Sequence, residues 1–100
     1  MTTWFVSRHP GAVQWAKRHG LAVDRWEAHI DAAEVHAGDT VVGSLPVHLA
    51  AAISLRGAHY VHLSLNMPAQ MRGEELSADD LDRFGARLER YAVTPMATPA

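Results

Sequence analysis

Phe5-Val6-Ser7-Arg8-His9-Pro10-Gly11-Ala12 decides how this chain is read. A short apolar run, Trp4-Phe5-Val6, passes straight into a serine, an arginine and a histidine, and then into a helix start. Pro10 suits a first helical position, because the N–H it lacks would have had no partner there. Polar and cationic groups therefore collect where a strand ends and free helix N–H groups point outward, a natural anion site. Phosphate chemistry heads the expectations.

The pattern extends outward from this stretch. Residues 3–7 are apolar on both parities, as in a central parallel strand. A first helix is expected over 10–19, with Gly20 placed to end it. Residues 25–30 alternate Arg25, Glu27 and His29 with Trp26, Ala28 and Ile30, which suggests a strand at a sheet edge, and 31–38 read as a loop or one helical turn. A third strand covers 40–43, and a second helix follows over 44–56 with Ser44 as N-cap and Gly57 as the stop. A fourth strand covers 59–65 and a polar, methionine-bearing loop 66–76. Ser77, with Asp80 three residues on, caps a third helix whose stripe is Leu81, Phe84, Leu88 and Tyr91. Gly85 inside that helix costs about 1 kcal/mol against alanine and is taken to mark close backbone packing.

Strand–helix–strand twice over implies parallel pairings, and the simplest solution is a mostly parallel open α/β sheet in the order 2-1-3-4 with three helices. In such a sheet the ligand crevice lies beyond the carboxyl ends of strands one and three, where the strand order reverses. Those ends are Ser7-Arg8-His9 and Gly43-Ser44-Leu45, with Pro10 and Gly11 opening the adjoining helix.

Composition narrows the function classes. One hundred residues with 48% apolar content fit one domain, expected over residues 1–93, followed by a flexible tail over 94–100 with Pro95 and Pro99. A formal charge of −2 speaks against a broad basic surface for duplex nucleic acid but leaves room for a local cationic pocket. The absence of cysteine excludes disulfides, thiolate zinc sites and cysteine nucleophiles. The longest apolar stretch, 45–55, is too short to span a bilayer, so a cytoplasmic protein without membrane contact is expected.

At the crevice, Arg8 supplies a planar, permanently charged fork for phosphate oxygens. Ser7 and Ser44 add short donors, Gly43 permits close approach, and His9 is the nearby group able to exchange a proton near neutral pH. Each has a plainer reading: Ser7 and Ser44 as helix caps, Arg8 in a surface ion pair, His9 as the residue that leads into the helix. Neither a Walker lysine motif nor a GxGxxG run is present. His59 and His62, three apart on a strand, point to opposite faces, so structural or surface histidines are favoured over a metal site. Trp4, Trp15 and Trp26 are read as core or interface residues. Asn66, Gln70 and Arg72 lie on a loop that leaves the same sheet edge and could close over a ligand, or form a solvated connection.

Nearly end to end, the chain resembles the small CRISPR-associated Csx family numbered sixteen, an accessory of type III systems. The resemblance is carried by 2–12, by Gly38-Asp39 through Gly43-Ser44-Leu45-Pro46-Val47-His48-Leu49-Ala50-Ala51, by Gly57-Ala58-His59-Tyr60-Val61-His62-Leu63-Ser64-Leu65, and by Arg72-Gly73-Glu74-Glu75-Leu76-Ser77. It departs from the family pattern at Ser44, where threonine is common, and at Asn66, where aspartate often stands. The resemblance implies a CARF-like Rossmannoid homodimer that takes cyclic tetra-adenylate, a cyclic oligoadenylate messenger, and linearises it as a metal-independent ring nuclease needing no cofactor. Carried onto this chain, Ser7, Arg8 and His9 become the catalytic candidates. Ser7, Arg8, Pro10, Gly11, Gly43, Ser44, Leu45, Asn66 and Arg72 become the ligand-binding ones. The alternatives are a non-cutting messenger sponge or sensor and a structural partner docking through helix three and Gly85. A metal-dependent phosphoesterase ranks last for want of carboxylates on that edge.

Overall fold

Both strand–helix–strand units expected from the sequence are present in the computed structural model, which describes residues 1–97. The elements run β1 (Thr3–Val6), α1 (Pro10–Arg18), β2 (Arg25–Glu27), β3 (Thr40–Gly43), α2 (Val47–Leu55), β4 (His59–Ser64), α3 (Ala78–Arg83) and β5 (Arg87–Tyr91). Single 3₁₀ turns at Ala32–Glu34 and Ala69–Met71 interrupt the two long connections. The strands form one sheet in the order β2-β1-β3-β4-β5, parallel except for β5, which runs antiparallel to β4. Residues 92–97 carry no regular structure, and the last three residues of the expected tail lie outside the described residues.

Period-two alternation on the central strands splits the core between the two faces. Phe5, Val42 and Leu63 meet Ala12, Trp15 and Ala16 of α1 and Ala78 and Leu81 of α3 on one side. Trp4, Val6 and Val41 meet Ile53 of α2 and Val35 on the other. The α1–α3 contact is fastened by Asp82, which accepts from Trp15 Nε1 at 2.9 Å and lies 2.8 Å from His19 Nε2.

Three expectations are corrected. The third helix is a single six-residue segment, and Leu88 and Tyr91 belong to the fifth strand of a sheet expected to have four. Its stripe imitated a helical period, but Gly85 sits at φ 70°, the left-handed region that glycine enters without steric cost. There Gly85 N donates to Asp82 O and Ala86 N to Leu81 O, the paired bonds of a Schellman stop, so Gly85 terminates the helix and does not mark packing within it. Helices α1 and α2 close with the same pair of bonds at Gly20 and Gly57, as expected. The second correction is at α2, which begins at Val47 with Pro46 in the cap position. A residue before proline is disfavoured in the helical region, so the chain stays extended through Leu45. Ser44 is therefore no N-cap, and its hydroxyl donates to Leu63 O at 2.9 Å. β2 also stops at Glu27, short of the expected 30, and pairs with β1 alone at the sheet edge.

One buried carboxylate ties the amino ends of the central strands together. Asp39, 4% exposed, accepts from Thr2 N at 2.9 Å, from His36 N at 3.0 Å and from Trp4 Nε1 at 3.4 Å. The backbone donors of His36 and Thr2 hold its pKa below the ordinary carboxylate value. A pKa lowered by folding contributes stability that is complete above the unfolded value and is lost as pH falls through the folded one. Replacing Asp39 by Asn turns an amide N–H₂ toward one set of donors, which costs about 1–3 kcal/mol. Denaturant unfolding from pH 7 down to pH 2 should therefore show a lower midpoint at neutral pH for Asp39→Asn and a shallower acid loss than the parent. Asp82, lowered chiefly by its bond to His19, retains part of that loss. An unchanged acid slope in Asp39→Asn would remove Asp39 from this role.

Candidate functional site

The carboxyl ends of β1 and β3 open into a cleft of 740 Å³. Its walls are Ser7, Arg8 and His9 after β1, Gly43, Ser44 and Leu45 after β3, Ala28, His29 and Ile30 after β2, and Met67 with Gly73 to Leu76 from the loop after β4. α1 leaves β1 toward one face and α2 leaves β3 toward the other, so this is the strand-order reversal at which open α/β sheets hold ligands. The volume lies within the range of small-molecule sites, about 300–1,000 Å³.

The backbone here spends many of its own donors. His9 N donates to Ser7 Oγ at 3.1 Å, and Pro10 has no N–H. At the other helix start, Leu45 N donates to the Tyr60 hydroxyl at 3.0 Å, and the Ser44 hydroxyl proton is committed to Leu63 O. Ser7 Oγ and Ser44 Oγ keep acceptor capacity, and Ser7 retains its own hydroxyl proton. The amides of His9 and Leu45 are thus spent within the protein, while the first amides of the two helices, at Gly11, Val47 and His48, have no backbone partner among the described residues.

The fixed positive charge at this edge is Arg8. The chain has nine lysines and arginines. Arg18, Arg25, Arg83 and Arg87 pair with carboxylates, Arg56 bonds Val35 O, Arg90 donates to His59 Nδ1, and Lys17 lies over the Trp26 ring. Among the described residues only Arg8 and Arg72 have no hydrogen-bond, ion-pair or ring partner, and only Arg8 lines the cleft. A guanidinium left unpaired beside a concave surface is ready for bidentate capture of phosphate or carboxylate oxygens.

His9 is held across the cleft mouth. Its Nδ1 lies 3.2 and 3.3 Å from the two carboxylate oxygens of Glu75. A carboxylate at Nδ1 requires the proton on that nitrogen, which leaves Nε2 as the free proton-exchanging position. Both groups are more than half exposed, so the pair orients the ring and adds little stability. Glu75 was not singled out for chemistry in the sequence; its place in the chain opposite the β1–α1 turn becomes evident only once the loop folds back. His29 was likewise missed, although a third parallel strand end on the same edge was the signal for it.

Four expected ligand contacts do not line the cleft. A Cβ at Gly11 would lie 1.9 Å from Leu76 O, so this glycine lets the start of α1 pack on the loop end. Pro10 is exposed beside it. Asn66 joins β4 to the α3–β5 turn, its N–H donating to Phe84 O at 2.7 Å and its Oδ1 accepting from Arg87. Arg72 is exposed, one residue before the lining Gly73. Among the described residues no group of three or more His, Asp or Glu side chains is placed to hold a metal ion, and no helix is long and apolar enough to cross a membrane.

Residues 4–94 match the model of the family described as "Putative CRISPR-associated protein (Cas_VVA1548)". No curated protein and no solved structure matches the chain. The match covers both crossovers, the cleft walls and β5, and the chain belongs to this CRISPR-associated family.

Proposed function

We propose that the cleft binds a cyclic oligoadenylate, with cyclic tetra-adenylate as the ligand to test, and cleaves it without a metal. The unpaired Arg8 guanidinium at the strand-order reversal carries the reading, and membership of a CRISPR-associated family supports it. Four linked nucleotides exceed one 740 Å³ cleft, so the ring spans two copies of the chain. A fourfold ring contains a twofold axis, and a C₂ dimer presents Arg8 to it twice.

The chemistry needs no external nucleophile. A ribose 2′-hydroxyl gives up its proton as its oxygen attacks the adjacent phosphorus. The bond to the 5′-oxygen breaks and that oxygen takes up a proton. With no net proton change, the products end in a 2′,3′-cyclic phosphate and a 5′-hydroxyl. The cleft contributes in-line alignment, charge stabilisation of the phosphorane and a proton for the leaving oxygen. Arg8 supplies the charge. His9, oriented by Glu75, exchanges the proton through Nε2.

Incubation with cyclic tetra-adenylate in EDTA, with products resolved by chromatography, tests the reading. Linear fragments bearing cyclic phosphate are expected from the parent, and Arg8→Ala should lose both turnover and most binding. His9→Ala should bind normally and cut about 10²–10⁴-fold more slowly, the usual weight of a general acid or base. Glu75→Gln should also slow cleavage, yet bind the polyanion at least as tightly, because it removes a negative charge from the mouth. Tight binding without cleavage would establish a messenger sponge instead. No binding at all would overturn the assignment of this cleft.

A further inference from the structure

The segment Tyr60-Val61-His62 carries no part of the chemistry above, yet it reaches the cleft from behind. Tyr60 is 3% exposed, and its hydroxyl has three neighbours. Leu45 N donates to it at 3.0 Å, Gly43 O lies at 3.2 Å, and His62 Nδ1 at 2.5 Å. Leu45 lines both the main cleft and a second cavity of 390 Å³ on the α2 face, which His62 and Tyr60 also line. The turn from Gly43 to Leu45 is therefore a wall between the two, and this hydroxyl holds both ends of it.

Counting protons determines the rest. A phenol has one hydrogen to give and two lone pairs to accept with. Leu45 N–H takes one lone pair. If the phenol gave its hydrogen to His62, Gly43 O would lose this donor. If His62 Nδ1 carries a proton, it donates into the second lone pair, the phenol donates to Gly43 O, and all three neighbours are satisfied. Burial raises the Tyr60 pKa, so the phenolic hydrogen is present throughout the neutral range.

We propose that Tyr60 is a positioning residue for the cleft, its hydroxyl fixing the Gly43–Leu45 turn while His62 is held with its proton on Nδ1. The catalytic part of this inference rests on the ring-cleaving reading. Its structural part does not.

The full chain, ¹⁵N-labelled, gives the direct test. Imidazole nitrogen spectra should show His62 protonated at Nδ1, and amide exchange should show Leu45 N–H protected. Tyr60→Phe should abolish that tautomer preference and the protection of Leu45 while the protein remains folded by its unfolding transition. With cyclic tetra-adenylate, Tyr60→Phe should lower kcat by roughly ten- to a hundredfold, the scale of a small misplacement, with KM within about twofold. His62→Leu should lower kcat in the same direction, and His62→Asn, which can restore an N–H donor near the Nδ1 position, should recover most of it. A parental His62 protonated at Nε2 alone, or parental kcat in Tyr60→Phe, overturns the proposal. A parent that does not cut the ring overturns the enzymatic reading alone, and the tautomer with Leu45 exchange then decides the hydroxyl network.

Discussion

The closeness of β1 and β3 at Val6 and Gly43 is the constraint on which the site depends. These residues are register partners, and a Cβ at position 43 would lie 2.5 Å from Val6 O. Backbone cannot yield to such a contact as a flexible side chain can, so a larger residue here would push apart the two strands that define the centre of the sheet. From this tight pair the chain departs in opposite directions, α1 over one face and α2 over the other. The cleft is the space those departures leave. Asp39 secures the other end of the same pair by holding Thr2 and Trp4 beside the start of β3, so the strands are pinned at both ends.

The cleft's electrostatics run against a simple helix-dipole account. The amides just ahead of both helices, at His9 and at Leu45, are used internally, and Pro10 and Pro46 bring no N–H. A partial positive charge remains, but the focused positive group is one guanidinium. Opposite it stand Glu74 and Glu75, which lower the local potential while Glu75 holds His9. A polyanion entering such a site gains from Arg8 and pays at the mouth.

Much of this was legible from residue types alone. The strand order through β4, the edge position of β2, the glycine stops of α1 and α2 and the Ser77–Asp80 capping box all follow from local patterns with one physical reading each. Leu88 and Tyr91 misled because their three-residue spacing prolongs the helical stripe of Leu81 and Phe84, although on a strand it puts them on opposite faces, and Gly85 decided the matter only through its backbone angle. Ser44 misled because a serine before an apolar run is a cap unless a proline intervenes two residues later. Arg8 and His9 were legible, since chain order places them at a strand end. Glu75 and Tyr60 were not, because their partners lie 66 and 15 residues away and only the closed fold brings them together.

The two faces of the sheet meet at the cleft through different physics. On the α1 face the contact is steric: Gly11 gives way to Leu76 O, and the loop that carries Glu75 is seated by packing. On the α2 face it is a set of hydrogen bonds at one buried phenol, which joins Leu45 N, Gly43 O and His62 Nδ1. A buried polar network holds its members in fixed geometry, whereas an ion pair in solvent is screened and weak. The β3 side of the cleft is therefore its rigid wall. The loop side is fastened across the cleft mouth by a solvent-exposed pair between His9 and Glu75, which adds little stability.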